Sequence, residues 1–226
     1  MNKEKKEIDS LIVKKYGTDA GADVVGIAAS KDFCFAPDGS RPADILPECR
    51  SVIVLGATFS PDVFEDIDTY TASRNEMVSA MTNMAKEMAK RIKADGYKTK
   101  AISATGGKWV EVEGKKEHFG NISLKHAAEI AGLGVIGKNY LLTNQKYGNL
   151  LWLSAVLTDA ELTPDEKIQS DICGNCNICV RACPVGALDD PAAFERKDCR
   201  NFFVIENKKL RIKCYLCRTV CPHTPA

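Results

Sequence analysis

ICGNCNICVRACPVG, residues 172–186, places cysteines at 173, 176, 179 and 183, with proline at 184. The spacing C-x2-C-x2-C-x3-C-P lets three thiolates come from one tight loop and wrap a single iron–sulfur cube. The fourth stands a helical turn further on and points elsewhere. Proline directly after it suits a backbone that changes direction there.

A run of this kind needs further ligands downstream, and they are present. Cys214, Cys217 and Cys221-Pro222 repeat C-x2-C-x3-C-P, and Cys199 adds one more. This is the pattern of a bacterial two-cluster ferredoxin, in which the fourth cysteine of each run ligates the other cluster. The crossed expectation is Cys173, Cys176, Cys179 and Cys221 on one [4Fe–4S] cluster, with Cys183, Cys199, Cys214 and Cys217 on the other. Paired zinc sites also use C-x2-C spacings; the third closely spaced cysteine and both prolines favour iron. Eight of the ten cysteines fall between Cys173 and Cys221, a clustering that points to metal rather than a disulfide framework. Cys34 and Cys49 read as small buried side chains.

Working outward, residues 171–226 carry a net charge of +3, which offsets the formal charge of about −4 on two thiolate-ligated clusters. The whole chain of 226 residues holds 31 Lys and Arg against 30 Asp and Glu. That balance argues against a strongly basic nucleic-acid binder. No apolar run approaches the roughly 18 residues of a membrane span. The start, MNKEKKEIDS, has no apolar run behind it and reads as no signal peptide; a cytoplasmic protein without membrane contact is expected.

Upstream, residues 3–16 show helical spacing at Ile8, Leu11, Ile12 and Tyr16, with Gly17 as the stop. The runs 22–30 and 51–59 read as strands, the second apolar on both faces and therefore central. Met77, Met81, Met84, Met88 and Ile92 form one stripe on a helix over 75–95, a core face or an adaptable docking surface. Strands are expected over 97–103, 108–113 and 150–158, and a helix over 124–131 capped by Ser123. The expected fold class is α/β, an α+β layered domain over residues 1–165, followed by a small ferredoxin-like double-cluster module over 166–226.

Gly132, Gly134 and Gly137 make a G-x-G-x-x-G string. It follows a helix rather than a strand, which excludes the dinucleotide fingerprint. Such glycines supply close backbone approach and positive φ, with Lys138 and Asn139 as donors beside them. AGLGVIGKN (131–139), LTDAEL (157–162), the eight cysteines and, more weakly, VVGIA (24–28) and LPECRSVIVLG (46–56) resemble the cobalamin-dependent, double-cluster epoxyqueuosine reductases, more distantly related to reductive dehalogenases. The resemblance implies base-off cobalamin in the α/β domain, lined by Gly132, Gly134, Gly137, Lys138 and Asn139. Electrons would come from a ferredoxin- or flavodoxin-type donor protein through the two clusters, to reduce an epoxide on a tRNA base. His118 stands where those enzymes carry an acidic proton donor, with Glu117 in reserve. The chain resembles a short form without the helical repeats that follow the clusters in many relatives. A relay protein or corrinoid-reducing accessory protein without turnover of its own stays open as the alternative. His126 is read as a packed polar residue, with a cofactor-facing role as the other possibility. His223, next to Cys221-Pro222, is offered as a hydrogen-bond donor to a cluster sulfur.

Overall fold

The β-branched runs become strands wherever both faces can be covered. The computed structural model describes residues 5–105, 107–112, 115–189, 198–199, 202–206 and 209–225, with the backbone alone over 107–112, 115–120, 203, 205–206 and 209–210. It divides into two compact units. The first comprises residues 1–57, 78–133 and 152–168, the second residues 58–77, 134–151 and 169–226. The division of the sequence into 1–165 and 166–226 stands beside these discontinuous units as a proposal; the last passage between units falls at 168–169.

The first unit is built on a four-stranded sheet. Its strands are β1 (Val24–Ala29), β2 (Ser51–Thr58), β3 (Thr99–Ile102) and β8 (Leu151–Thr158), in the order β1-β2-β8-β3. β1 pairs antiparallel with β2, Ile27 opposite Ile53, and β3 antiparallel with β8, Ile102 opposite Ala155. The two central strands are buried along almost their whole length, as the two-faced apolar reading of 51–59 predicts. Helix α1 (Ser10–Asp19) is capped by Asp9, whose carboxylate accepts the Ile12 N–H at 2.8 Å. Gly17 does not stop α1. It is buried inside it, where a Cβ would strike the Val25 and Leu55 side chains, so the missing side chain is what lets helix and sheet close up. Leu11, expected on the apolar face, is instead 77% exposed, and Val13 is the buried anchor.

A short helix, α2 (Pro42–Ile45), follows the glycine- and proline-rich loop. The long helix α3 runs Ile67–Ala94, starting eight residues before the expected Asn75. Asp66 explains the difference: its carboxylate accepts from the Asp68 and Thr69 amides and the Thr69 hydroxyl, satisfying the first turn's orphan donors. Met81, Ala85, Met88 and Ile92 are buried in the first unit, so this part of the methionine stripe is core. The strand expected over 108–113 is half of a hairpin, β4 (Gly107–Val112) with β5 (Lys115–Gly120). Helix α4 (Leu124–Ile130) begins after Ser123, whose hydroxyl pairs with His126 Nδ1 at 2.7 Å rather than capping the backbone.

One carboxylate ties the 163–168 segment to the sheet. Asp165 Oδ2 accepts the Ile27 N–H, its own N–H donates to the Ile27 carbonyl, both at 2.8 Å, and Lys14 Nζ sits 2.5 Å from Oδ1. In the second unit, β6 (Val135–Ile136) pairs with β7 (Leu142–Thr143), and β9 (Phe203–Glu206) with β10 (Lys209–Ile212). Phe59, Phe64, Tyr70 and Tyr215 form an aromatic cluster, with ring centroids 4.9 Å apart for Tyr70 and Tyr215. Helices α5 (Ile178–Ala182) and α6 (Leu216–Thr219) each carry one of the cysteines.

Candidate metal centre

The first cysteine loop is shaped by its own backbone. The Asp171 carboxylate accepts the Gly174 N–H at 2.9 Å, and the Cys176 N–H donates to the Cys173 carbonyl at 2.8 Å. This tight turn brings Cys173 and Cys176 onto one side, and α5 adds Cys179, which is buried. Cys221 arrives from the other end of the unit, after α6, its N–H held by the Arg218 carbonyl. Cys173, Cys176, Cys179 and Cys221 line one pocket with Asn139, Thr143, Pro222 and His223. Burial pushes the Cys179 thiol above its ordinary range, and Cys173, Cys221 and Cys176 push it further.

Cys183 is the C-cap of α5 with an extended backbone, and it is not among the residues lining that pocket. Cys217, on α6, is pushed up to about 11, first by burial and then by Cys199 and Cys214, against the lowering effect of Arg218. Cys199 and Cys214 of the second set therefore both act on Cys217, as does Cys179 of the first. Thiols raised in this way hold their protons until a metal displaces them.

Within the segment 134–151, Lys138 and Asn139, assigned to a cofactor site by resemblance, turn their side chains to the cysteine segments. Gly137 leaves room where a Cβ would sit 3.4 Å from Cys173 Sγ, and its φ is not positive. The Lys138 N–H points at Cys173 Sγ, 3.4 Å away, and Lys138 Nζ donates to the Gly174 carbonyl, the Cys176 carbonyl and Asn177 Oδ1 at 2.8, 3.0 and 2.9 Å. Asn139, buried, donates to the Cys217 carbonyl at 3.1 Å. Gly134 packs its α-carbon against the Thr143 carbonyl, and Gly132, in the first unit with φ +68°, packs against that of Glu166.

Sequence reading missed the other end of this segment. Asn149 Nδ2 donates to the Arg218 carbonyl and to Thr224 Oγ1, while the Arg218 guanidinium returns a hydrogen bond to the Asn149 carbonyl. Gly148, at φ +52°, lies so close to the His223 carbonyl that no side chain would fit. A glycine–asparagine pair at 148–149 was the available signal, but such pairs mark turns in general.

The histidines separate. His223 Nε2 pairs with the Ile172 carbonyl at 3.0 Å; since a carbonyl only accepts, that nitrogen carries a proton and is spent on backbone, not on a cluster sulfur. His126 is exposed on α4 in the first unit, and partial desolvation of its ring, reinforced by Lys125, lowers its pKa. His118 lies on β5 opposite Trp109; its side chain and that of Glu117 lie outside the described residues. Cys49 is buried, as expected, but Cys34 is exposed, because it follows a short 3-10 turn (Ser30–Phe33) into the surface loop.

Comparison with known proteins adds a family. The 4Fe-4S binding domain family matches residues 166–189. An epoxyqueuosine reductase from Synechocystis is 34% identical over 219 residues, covering 88% of this chain and 71% of the relative. The chain belongs to the epoxyqueuosine reductase family. It spans 63% and 49% of the length of the family's members from Gloeobacter violaceus and Bacillus subtilis, at 29% and 26% identity. A solved epoxyqueuosine reductase bound to an epoxyqueuosine-modified tRNA-Tyr stem loop shares the fold, with a TM-score of 0.63 at 21% identity over 93% of this chain and 64% of that one. A reductive dehalogenase, reported with a mechanism for B12-dependent dehalogenation, has a TM-score of 0.61 at 20% identity over 78% of this chain and 25% of that one. Among the described residues no helix is long and apolar enough to cross a membrane.

Proposed function

We propose that the chain is an iron–sulfur oxidoreductase that carries two [4Fe–4S] clusters and passes single electrons through them to an epoxide-bearing substrate. The observation that carries this reading is the pocket shared by Cys173, Cys176, Cys179 and Cys221, four thiols drawn from both cysteine runs. Cys183, Cys199, Cys214 and Cys217 are the proposed second set. Among the described residues no three His, Cys, Asp or Glu side chains stand close enough to hold a single metal ion. Four thiols, three from one C-x2-C-x2-C run and one from the second run, suit a multi-atom cluster better than zinc.

When bound, the clusters supply one-electron storage and transfer. The chain's own part is to hold thiolates and exclude water. Burial of Cys179 and Cys217 favours low-charge, covalently ligated sulfur over free thiolate, and basic residues of the module offset cluster charge. A ferredoxin- or flavodoxin-type protein is the proposed electron donor.

Two finer elements rest on likeness alone. The relative bound to a modified tRNA stem loop supports tRNA as substrate, and the B12-dependent dehalogenase supports cobalamin as a further carrier. Of the residues assigned to a corrin by resemblance, Lys138 and Asn139 spend their side chains on the cysteine segments, and Gly132 and Gly134 press on carbonyl oxygens. His118 is proposed as the proton donor.

The test is anaerobic turnover of an epoxyqueuosine-containing stem loop by the iron-loaded chain with a chemical reductant, with and without hydroxocobalamin. Product formed only with the corrinoid supports the full reading, and loss of product in His118→Ala with an unchanged cluster spectrum supports the proton donor. Rapid oxidation of the clusters by an acceptor protein with no product from the stem loop would instead favour a relay.

A further inference from the structure

An ammonium group has three N–H bonds, and Lys138 uses all three on one loop. Its acceptors are the Gly174 carbonyl at 2.8 Å, the Cys176 carbonyl at 3.0 Å and Asn177 Oδ1 at 2.9 Å. These lie in the turn that separates Cys173 from Cys179, so the side chain acts as an internal clamp across it. The main-chain N–H of the same residue meets Cys173 Sγ at 3.4 Å. One residue thus sets the loop's shape with its side chain and donates to a ligand sulfur with its backbone. Gly137 beside it lies close to the same sulfur: an added Cβ would stand 3.2 Å from Asn139 Oδ1 and 3.4 Å from Cys173 Sγ.

Both features act on an iron–sulfur centre in the same direction. Reduction adds negative charge to a cluster already anionic, and a nearby cation and an N–H···S bond each stabilise the reduced form. The convergent arrangement is also specific to an ammonium: a planar guanidinium presents its donors as a fork and does not close on three acceptors around one nitrogen. Charge and clamp are therefore separable by substitution.

We propose that Lys138 is a positioning residue for the cluster held by Cys173, Cys176, Cys179 and Cys221, fixing the 173–177 turn and raising that cluster's reduction potential. This rests on the two-cluster reading above. Lys138→Met removes both charge and clamp, Lys138→Arg keeps charge and loses the three-way clamp, and Asn177→Ala removes one acceptor.

The experiment measures two things on the full-length, iron-reconstituted chain: backbone hydrogen exchange over 173–177, and the midpoint of each cluster by EPR-monitored titration. In Lys138→Met, exchange is expected to speed by about tenfold. The reduced-to-oxidised ratio of one cluster at fixed potential is expected to fall by about tenfold, which is 59 mV for one electron. Lys138→Arg and Asn177→Ala are expected to speed exchange while leaving the midpoint near that of the unsubstituted chain. The proposal is overturned if Lys138→Met leaves exchange unchanged, or if Lys138→Arg lowers the midpoint as far as Lys138→Met. Should the Met variant assemble no clusters, Lys138→Arg decides: faster exchange supports the clamp and unchanged exchange overturns it. Failure of the unsubstituted chain to take up iron overturns the two-cluster reading and the potential effect with it, whereas the clamp is decided separately by the exchange comparison between the unsubstituted chain and Lys138→Met.

Discussion

Cys221 is the residue on which the crossed ligand set turns. It shares a pocket with Cys173, Cys176 and Cys179, whereas Cys183, the neighbour of Cys179 in sequence, leaves α5 in an extended conformation. Cys221→Ala and Cys183→Ala should each remove about half of the bound iron, but from different clusters. The EPR signal surviving in one variant should be the one lost in the other. If both substitutions erase the same signal, the crossed assignment is wrong. Asn149 sits at a second decisive point, donating to the Arg218 carbonyl and Thr224 while Arg218 holds its own carbonyl. Asn149→Ala removes both side-chain hydrogen bonds while the Arg218 carbonyl keeps those from the Cys221 N–H and the Thr224 hydroxyl, and should cost about 1 kcal/mol in denaturant unfolding. Cysteine spacing was legible at this scale because ligand geometry is written locally. The commitments of Lys138, Asn139 and Asn149 were not, because each partner lies at least 35 residues away in the chain.

Among the elements, α1 and β1 depend on Asp165. A half-buried carboxylate that accepts the Ile27 N–H and pairs with Lys14 should be worth about 2 kcal/mol, so Asp165→Ala should lower the denaturant midpoint without changing its slope. Met81→Ala or Met88→Ala in the buried stripe of α3 should cost about 2–5 kcal/mol. His126 on α4 gives a pH signature. Its folded pKa lies below the ordinary 6.5 because partial desolvation disfavours the charged ring, so the unfolded chain binds the extra proton first. Its neutral form contributes stability that is fully present above pH 6.5 and is lost as pH falls below that, through the lower folded pKa. His126→Gln should flatten that decline; an unchanged slope would remove the desolvation argument. The strands β1, β2 and β8 were legible because covered strands must be apolar on both faces. The true start of α3 was hidden in IDTYTASR, where an aspartate cap outweighs indifferent helix formers. Gly17 misled because a glycine inside a helix looks like a stop until the sheet beneath it is known.

At the scale of the molecule, the chain belongs to a reductase family yet spans about half to two thirds of the length of several members. Its net charge of +1 predicts weak general attraction to nucleic acid, so recognition of a tRNA stem loop would rest on specific contacts and show a shallow salt dependence. A steep loss of binding between low and moderate salt would contradict that expectation. Everything functional proposed here depends on paired iron–sulfur clusters. The direct measurement is iron and acid-labile sulfide per chain after strictly anaerobic reconstitution, read together with EPR of the reduced protein. About eight of each per chain, with two interacting cluster signals, is the predicted result. A colourless chain, one holding zinc, or one saturating at half that iron content would contradict it.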